Sequence, residues 1–554
     1  MNTSHLKKWF NADTSKINSI LEKIHKLCKR HFTFNKNPTE SPVNSIVVPH
    51  AGFQYSGLCA MSAYHLSYSK NYKRILVLAT DHQGLAGLHY IKSNIQIGNY
   101  FINVNTSSKL LSLLRSKGVK IVKADDTIVN NEHALLNHVP LINYFYKDSV
   151  SVIPFIVGKL NPREIETYGK LLAGLVDDKT LVICSTDLNH INGTFSHKVE
   201  GPNTTDKIRK ADSEILRLLM NDKITNGNKK RNGNFVENIN TEGLSPCGIY
   251  ALALLKELNK QLKLNYCNVA CYYTSRQLEK MKVNSNNGFS LEQLLTLPAG
   301  KDTADNTSNA NKTSVGYLGA LFSTIPYLNN SKTRPLDYLL TSYEKKALHF
   351  YMTHLLNAYL ENRNSDRNPG GNNIDHLLKK NQFKLLDPFY CPIYHKVNLG
   401  LFVTLKGLNG RLRGCIGTTQ SSDNTIISNL QKYTYYSAFK DSRFEPLTMS
   451  EFKDTNTGKL KLKMYISLLN KLKEISYEDY KRKDGGFVFQ KDGIVMTLSN
   501  GDSAFFLPSV AQDYNLSVKD ADTMLSMLCE KIGHNKTCFR EHGLTLSYNE
   551  GIEF

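Results

Sequence analysis

Three apolar, β-branched runs in this chain each lead into a histidine. Ser45–Pro49 leads into His50 within Pro-His-Ala-Gly-Phe, Arg74–Ala79 into Asp81-His82, and Thr180–Cys184 into Asp187 and His190 within Ser-Thr-Asp-Leu-Asn-His. Imidazole is the commonest protein metal ligand and carries protons near neutral pH. A single such histidine is more often a hydrogen-bonded structural residue, but three at equivalent strand ends favour one shared centre. Such a centre needs an anionic or soft ligand, and Thr241–Tyr250 offers two. Glu242 with two histidines makes the facial triad of a non-haem Fe(II) oxygenase, leaving positions for oxygen and substrate, whereas Cys247 with two histidines suits copper or zinc. Cys247 is expected in the first turn of the following helix, where the helix dipole lowers a thiol pKa. His133 and His138, five residues apart, would stand roughly 140° apart on a helix, too far for one bis-histidine clamp.

The elements that must position these groups alternate. Short strands are expected at Ser45–Pro49, Arg74–Ala79, Val150–Val157, Thr180–Cys184, Asn265–Tyr273 and Ser314–Phe322, with helices between them at Thr106–Lys117, Pro162–Val176 and Thr205–Met220. Asn161-Pro162 and Ser245-Pro246 each read as a capping side chain before a helix-starting proline. The alternation predicts an α/β layered N-terminal domain with a largely parallel sheet. Ligands of such sheets bind beyond the carboxyl ends of the strands, where the three histidines fall. Asn221–Asn240, Ala299–Thr313 and Asn364–Asn373 are polar, Asn- and Lys-rich, and read as irregular. A linker is placed at 326–338. Beyond it, the long helix Leu339–Leu360, strands at Leu401–Lys406, Lys459–Leu468 and Ile494–Leu498, and a helix at Ile426–Phe439 predict a separate α+β domain.

The 554 residues exceed what one hydrophobic core sustains. No apolar run approaches the roughly 18 residues of a membrane span, and the first residues lack a secretory apolar region. Ten cysteines without a C-x-x-C pair argue against a zinc ribbon, a thioredoxin motif or a disulfide scaffold. The cytoplasm is the expected location, with the nucleus also compatible. A net charge of +20 raises nucleic acid as a partner, but the excess lies in Lys/Asn loops such as Asn228–Arg231 and no RNP, KH or helix-turn-helix pattern accompanies it. A lysine-biased surface is the preferred reading.

Residues from about His5 to Thr324 resemble the Memo family, similar in fold to class III extradiol dioxygenases. The resemblance rests on Trp9-Phe10, Pro49-His50-Ala51-Gly52-Phe53, Asp81-His82, Glu132-His133 with His138-Val139-Pro140, Ser185-Thr186-Asp187 with His190, Gly243 with Pro246, and Ser314-Val315-Gly316-Tyr317. It implies that His50 and His82 ligate iron or copper and that His190 and His133 face the pocket. Where the family has Cys-Gly-x-x-Pro this chain has Glu242-Gly243-Leu244-Ser245-Pro246, so the resemblance implies a two-His-one-Glu set with Glu242 as third ligand. Leu136 replaces the family's usual Glu.

Residues from about Pro335 to Tyr548 resemble the AMMECR family through Arg411-Leu412-Arg413-Gly414-Cys415-Ile416-Gly417, Ala438-Phe439-Lys440-Asp441-Ser442-Arg443-Phe444-Glu445-Pro446-Leu447 and Phe506-Leu507-Pro508-Ser509-Val510-Ala511. Arg413, Gly414, Cys415, Gly417, Asp441 and Arg443 form a candidate pocket. Cys415 reads either as a thiolate favoured by a guanidinium or, more simply, as a small buried hydrophobe. The stretch Lys432–Arg443 reads either as a basic, aromatic stacking surface or as a helix with Tyr433, Tyr436 and Ala438 in the core.

The expected domains are 5–325, Memo-like and metal-binding, and 339–550, AMMECR-like. The expected function is a metal-dependent, dioxygenase-like oxidoreductase with Fe(II) as cofactor and Cu or Zn as alternatives. Its metal ligands are His50, His82 and Glu242, and its catalytic set is His190, His133 and Asp187. The alternative is a non-catalytic adaptor whose pocket reads a peptide or small aromatic metabolite. Memo-like and AMMECR-like domains also occur with radical SAM proteins in the AmmeMemoRadiSam system, which implies such a partner; this chain itself has no C-x₃-C-x₂-C motif.

Overall fold

The computed structural model describes residues 5, 9, 13–33, 43–191, 204–220, 233–278, 314–324, 336, 339–365, 391–419, 425–540 and 543–554. The irregular stretch Ala299–Thr313, most of Asn364–Asn373, the basic Asn228–Arg231 and nearly all of 326–338 lie outside these residues. The chain divides into two compact units. One comprises Met1–Asn330, Leu340–Ala347 and Phe389–Ile393, and the other Ser331–Leu339, Leu348–Pro388 and Tyr394–Phe554.

The first unit is built on β1 (Val43–Val48), β2 (Arg74–Thr80), β3 (Leu88–Tyr90), β4 (Ile95–Ile97), β5 (Tyr100–Ile102), β6 (Ile121–Lys123), β7 (Ser151–Val157), β8 (Thr180–Ser185), β9 (His190–Ile191), β10 (Tyr266–Thr274) and β11 (Ser314–Ser323). Eight of them, among the described residues, run β10-β11-β1-β8-β2-β7-β3-β6, with β9 paired to β11 and β4-β5 a separate hairpin. The central strands β1, β8, β2 and β7 are mutually parallel. The flanking pairs β10-β11, β11-β1 and β3-β7 are antiparallel, so the sheet is mixed around a parallel centre. The central strands read as unbroken apolar runs because both of their faces are covered; β8 is buried along its whole length. Helices Phe53–Ser67 and Ile249–Gln261 are among those that cover the sheet.

Local sequence sets the helix starts. The Asn161 side chain accepts from Glu164 N–H while Glu164 returns to Asn161 N–H, a capping box at the expected proline start. A second capping box, Asn234 with Glu237, starts the helix Phe235–Thr241 inside the stretch expected to be irregular. That is a correction: Phe235 and Ile239 are buried one turn apart, a period hidden among asparagines. Ser245-Pro246 corrects the other way. The helix begins at Ile249 with Gly248 as its N-cap, and Pro246 instead bridges to Asn189. Cys247 therefore precedes the helix and is not in its first turn.

The second unit holds β12 (Gly400–Gly407), β13 (Leu412–Thr418), β14 (Leu462–Leu469), β15 (Lys473–Ile475), β16 (Asp492–Thr497), β17 (Ser503–Phe506) and β18 (Thr545–Glu553). Their order is β13-β12-β14-β18-β16-β17, with β15 on β18, and every pair is antiparallel. This is the expected α+β arrangement. Cys529 and Cys538 form a disulfide, one bridge where the sequence suggested none. On the helix Ile426–Phe439, Ala438 is buried while Tyr433 and Tyr436 are half-buried beneath Lys432. No helix among the described residues is long and apolar enough to cross a membrane.

Candidate metal centre

The parallel strands deliver their histidines to one place. His50 follows β1, His82 follows β2 and His133 opens a short helix, His133–Leu136. The His50 and His82 ring centroids lie 5.0 Å apart, His50 and His133 5.1 Å, and His82 and His133 4.1 Å. Potential ligand atoms of His50, His82 and Cys247 all lie within 4.8 Å of one another. A second group, His82, Glu132 and His133, meets the same limit and shares His82.

The rings are held from behind. His50 Nδ1 pairs with Ser185 Oγ at 2.9 Å, and the His50 backbone N–H donates to Asp187 Oδ1 at 2.9 Å. Ser185 Oγ also meets His138 Nε2 at 2.9 Å. Glu132 grips His82 twice, accepting its backbone N–H at Oε2 and pairing with Nδ1 at Oε1, both at 2.8 Å. Outer-shell partners on Nδ1 fix ring orientation and leave Nε2 for a ligand. His50 Nε2 lies 3.4 Å from Cys247 Sγ. Trp9 stacks on His133 with centroids 3.9 Å apart.

Glu242 does not complete this set. It is the exposed C-cap of the helix Phe235–Thr241, outside both converging groups. Cys247, five residues later, takes the place assigned to it. The reason lies in a clamp between loops. Asp212 Oδ1 accepts from Asn189 N–H at 2.9 Å and from Nδ2 at 2.7 Å, and Asn189 Oδ1 accepts the Ser245 N–H at 2.6 Å. Ser245 Oγ also donates to the His190 carbonyl at 3.1 Å. This fixes Ser245-Pro246 beside the strand end and turns the next side chain, Cys247, inward.

Electrostatics agree with the geometry. Burial by itself would raise the Cys247 pKa, but the His50 charge and hydrogen bonding with His190, His50 and His82 hold it well below the usual thiol value. The groups that lower it are the surrounding imidazoles. His82 is pushed up to about 10: burial opposes this, and hydrogen bonds and charge from Cys247 and Glu132 outweigh it. His50 is raised, again against burial, by Cys247 and Asp187. The raised Asp187 carboxyl is dominated by its burial. His190 borders the thiol from β9 and is raised, against its burial, chiefly by Cys247. Sequence reasoning missed Glu132, Ser185, Asn189 and Asp212 as supports. Glu132 directly precedes His133 in the chain, and that adjacency was the available signal.

In the second unit, Cys415, Asp441 and Arg443 come together. Asp441 accepts the Cys415 N–H at 2.8 Å and holds Arg443 at 2.7 and 2.9 Å. Arg413 pairs with Glu451 instead, at 2.9 Å. Gly414 and Gly417 allow close approach: a Cβ would fall 2.1 Å from the Ser437 carbonyl oxygen and 2.2 Å from that of Leu401. Burial raises the Cys415 pKa despite Thr404 and Arg443, which pull it down.

A mixed α/β sheet whose parallel centre brings imidazoles and a thiol together beyond the strands' carboxyl ends defines a layered α/β domain. Residues 2–287 match the family model described as Memo-like protein, and the chain belongs to that family. Residues 351–554 match the model described as AMMECR1. The chain is 27% identical over 198 residues to a "MEMO1 family protein" of Sulfolobus acidocaldarius, covering 34% of this chain and 67% of that one. It is 25% identical over 201 residues to "Protein MEMO1" of Danio rerio, covering 35% and 64%. It thus spans about two thirds of the length of the curated relatives it matches. A solved structure, uncharacterized protein PH0010 from Pyrococcus horikoshii, aligns at 19% identity and a TM-score of 0.27 over 37% of this chain and 90% of its own.

Proposed function

We propose that the first unit is a metal-dependent oxidoreductase centre in which His50, His82 and Cys247 hold one transition-metal ion. The supporting observation is the convergence of these three ligand atoms within 4.8 Å. The donor set fits such an ion: two imidazoles are tied at Nδ1 to Ser185 and Glu132, and the thiol already favours its thiolate. A thiolate with two imidazoles is a softer set than the two-His-one-Glu expectation and favours copper over iron, with zinc as the redox-silent competitor. The bound ion would supply Lewis acidity and, for copper or iron, one-electron chemistry.

The chain's own residues do the rest. Glu132 and Ser185 orient the two ligand rings. His190, beside the thiol and outside the ligand set, carries a proton to or from substrate. Asp187 fixes the His50 backbone, and Trp9 on His133 forms an aromatic wall suited to a flat ligand. The occurrence of both domain types with radical SAM proteins supports a partner enzyme of that class, which co-purification tests.

Elemental analysis of protein prepared without air is expected to give about one metal per chain. Cys247→Ala should lose it and Glu242→Ala should keep it; the reverse result overturns the ligand assignment. Oxygen consumption with catecholic substrates, compared with His190→Ala, tests the reaction. A loaded protein that consumes none favours the adaptor reading.

A further inference from the structure

One face of the second unit's sheet gathers polar and charged groups that the metal centre does not use. Antiparallel register sets Cys415 opposite Thr404, and Ser467 opposite Phe402 on one side and Glu553 on the other. Directly opposed residues point the same way, and so do alternate residues along a strand. Phe402, Thr404, Cys415, Ser467 and Glu553 therefore share one face. The other face of β12 carries Leu401, Val403 and Leu405, all fully buried.

The thiol is half-buried and pairs with the Thr404 hydroxyl at 3.3 Å. Beside it, Arg443 uses Nε and Nη2 on Asp441 and reaches the Cys415 carbonyl with Nη2 at 3.2 Å. Its Nη1 has no hydrogen-bond partner among the described residues. Lys531 donates to the Phe505 carbonyl at 2.6 Å and pairs with no carboxylate among the described residues. Arg443, Lys531 and Cys415 lie within electrostatic reach of one another. Phe402 and Phe505 stack at 5.4 Å and 28°, making an apolar wall on the same side. Two cations with spare donors, a thiol and an aromatic wall are more than a folded sheet requires.

We propose that this face is a second ligand site, for a small molecule with a carboxylate or phosphate group held by Arg443 and Lys531 and with the adjoining atoms resting on Cys415 and the Phe402–Phe505 wall. The thiol acts as a contact and not as a nucleophile, since burial, with the Asp441 and Glu553 charges, raises its pKa against the pull of Thr404 and Arg443.

The test compares alkylation of Cys415 in the full chain by iodoacetate, an anion, and by neutral iodoacetamide, each read by peptide mass spectrometry. One adjacent unit charge in water corresponds to about fivefold in rate. The iodoacetate-to-iodoacetamide ratio is therefore expected to exceed that of the urea-unfolded chain by about fivefold or more, and to fall back in Lys531→Gln and in Arg443→Gln. Slowing of the iodoacetamide reaction by phosphate or by benzoate, added separately, tells which anion the site takes. A folded ratio equal to the unfolded one, or a ratio unchanged in both variants, overturns the proposal. Because Lys531 is exposed, its variant keeps the test valid even if Arg443→Gln fails to fold. The outcome is independent of whether the first unit binds metal.

Discussion

A carboxylate outside the proposed ligand set can still decide how well a metal would bind there. Glu132 is fully buried and bonds to His82 through both the ring and the backbone. Glu132→Gln is expected to lower metal affinity about 10- to 100-fold, read by competition with a chromogenic chelator, while the unloaded protein keeps its circular dichroism. At this scale His50 and His82 were legible because each follows an apolar run, and parallel strand direction gathers them, while His133 joins them from the start of a helix. The third member of the proposed set was not legible. Glu242 and Cys247 lie five residues apart in one loop, and choosing between them depends on Asn189 and Asp212, which come from other segments and reach the loop only in three dimensions. A resemblance at Gly243 and Pro246 set the register of the motif and so pointed to Glu242, whereas the group that converges with His50 and His82 contains Cys247.

Among the elements, the clamp of helix Thr204–Leu219 on the loop after β8 has its own signature. Asp212 also accepts from Tyr272 Oη at 2.8 Å, and a Cβ on Gly316 would lie 1.8 Å from Asp212 Oδ2. Gly316→Ala is therefore expected to cost about 1–3 kcal/mol, as overpacking does, seen as a lower denaturation midpoint. Asn161→Ala, which removes half a capping box far from the site, should cost about 1 kcal/mol and leave metal content unchanged. Burial dominates over hydrogen bonding in pushing the Asp212 carboxyl up to about 7 from 3.8 and that of Glu344 up to about 7 from 4.5. An acid whose pKa is raised on folding contributes stability at low pH that is lost as pH rises through the folded value. Thermal stability from these two groups should thus fall between about pH 4 and pH 7, and Asp212→Asn should flatten that slope. Strands and amphipathic helices were readable from period and capping residues, and the Pro162 start was met. The Phe235–Thr241 helix was not, because only two of its seven residues are buried.

Taken whole, the chain pairs two units of different chemistry. A ligand that binds the folded state alone stabilises it by about 2.7 kcal/mol at a hundredfold excess over its dissociation constant. Copper added to protein prepared without metal is therefore expected to raise the melting temperature of the wild type and not that of Cys247→Ala. The chain's length and the polar stretch at 326–338 pointed to the two-unit plan, and composition gave no rival to it, since a charge of +20 spread through Lys/Asn loops carries no recognition motif. The cysteines divide by burial: six of the eight free ones are buried, and Cys247 and Cys415 are the two that are not. Of that pair only Cys247 is held as a thiolate, so hydrogen peroxide should reach a stripped chain first at this sulfur and form a sulfenic acid there. Loading the pocket would shelter the same atom, and dimedone labelling of residue 247 would then report how much of the protein in a cell extract carries its ion.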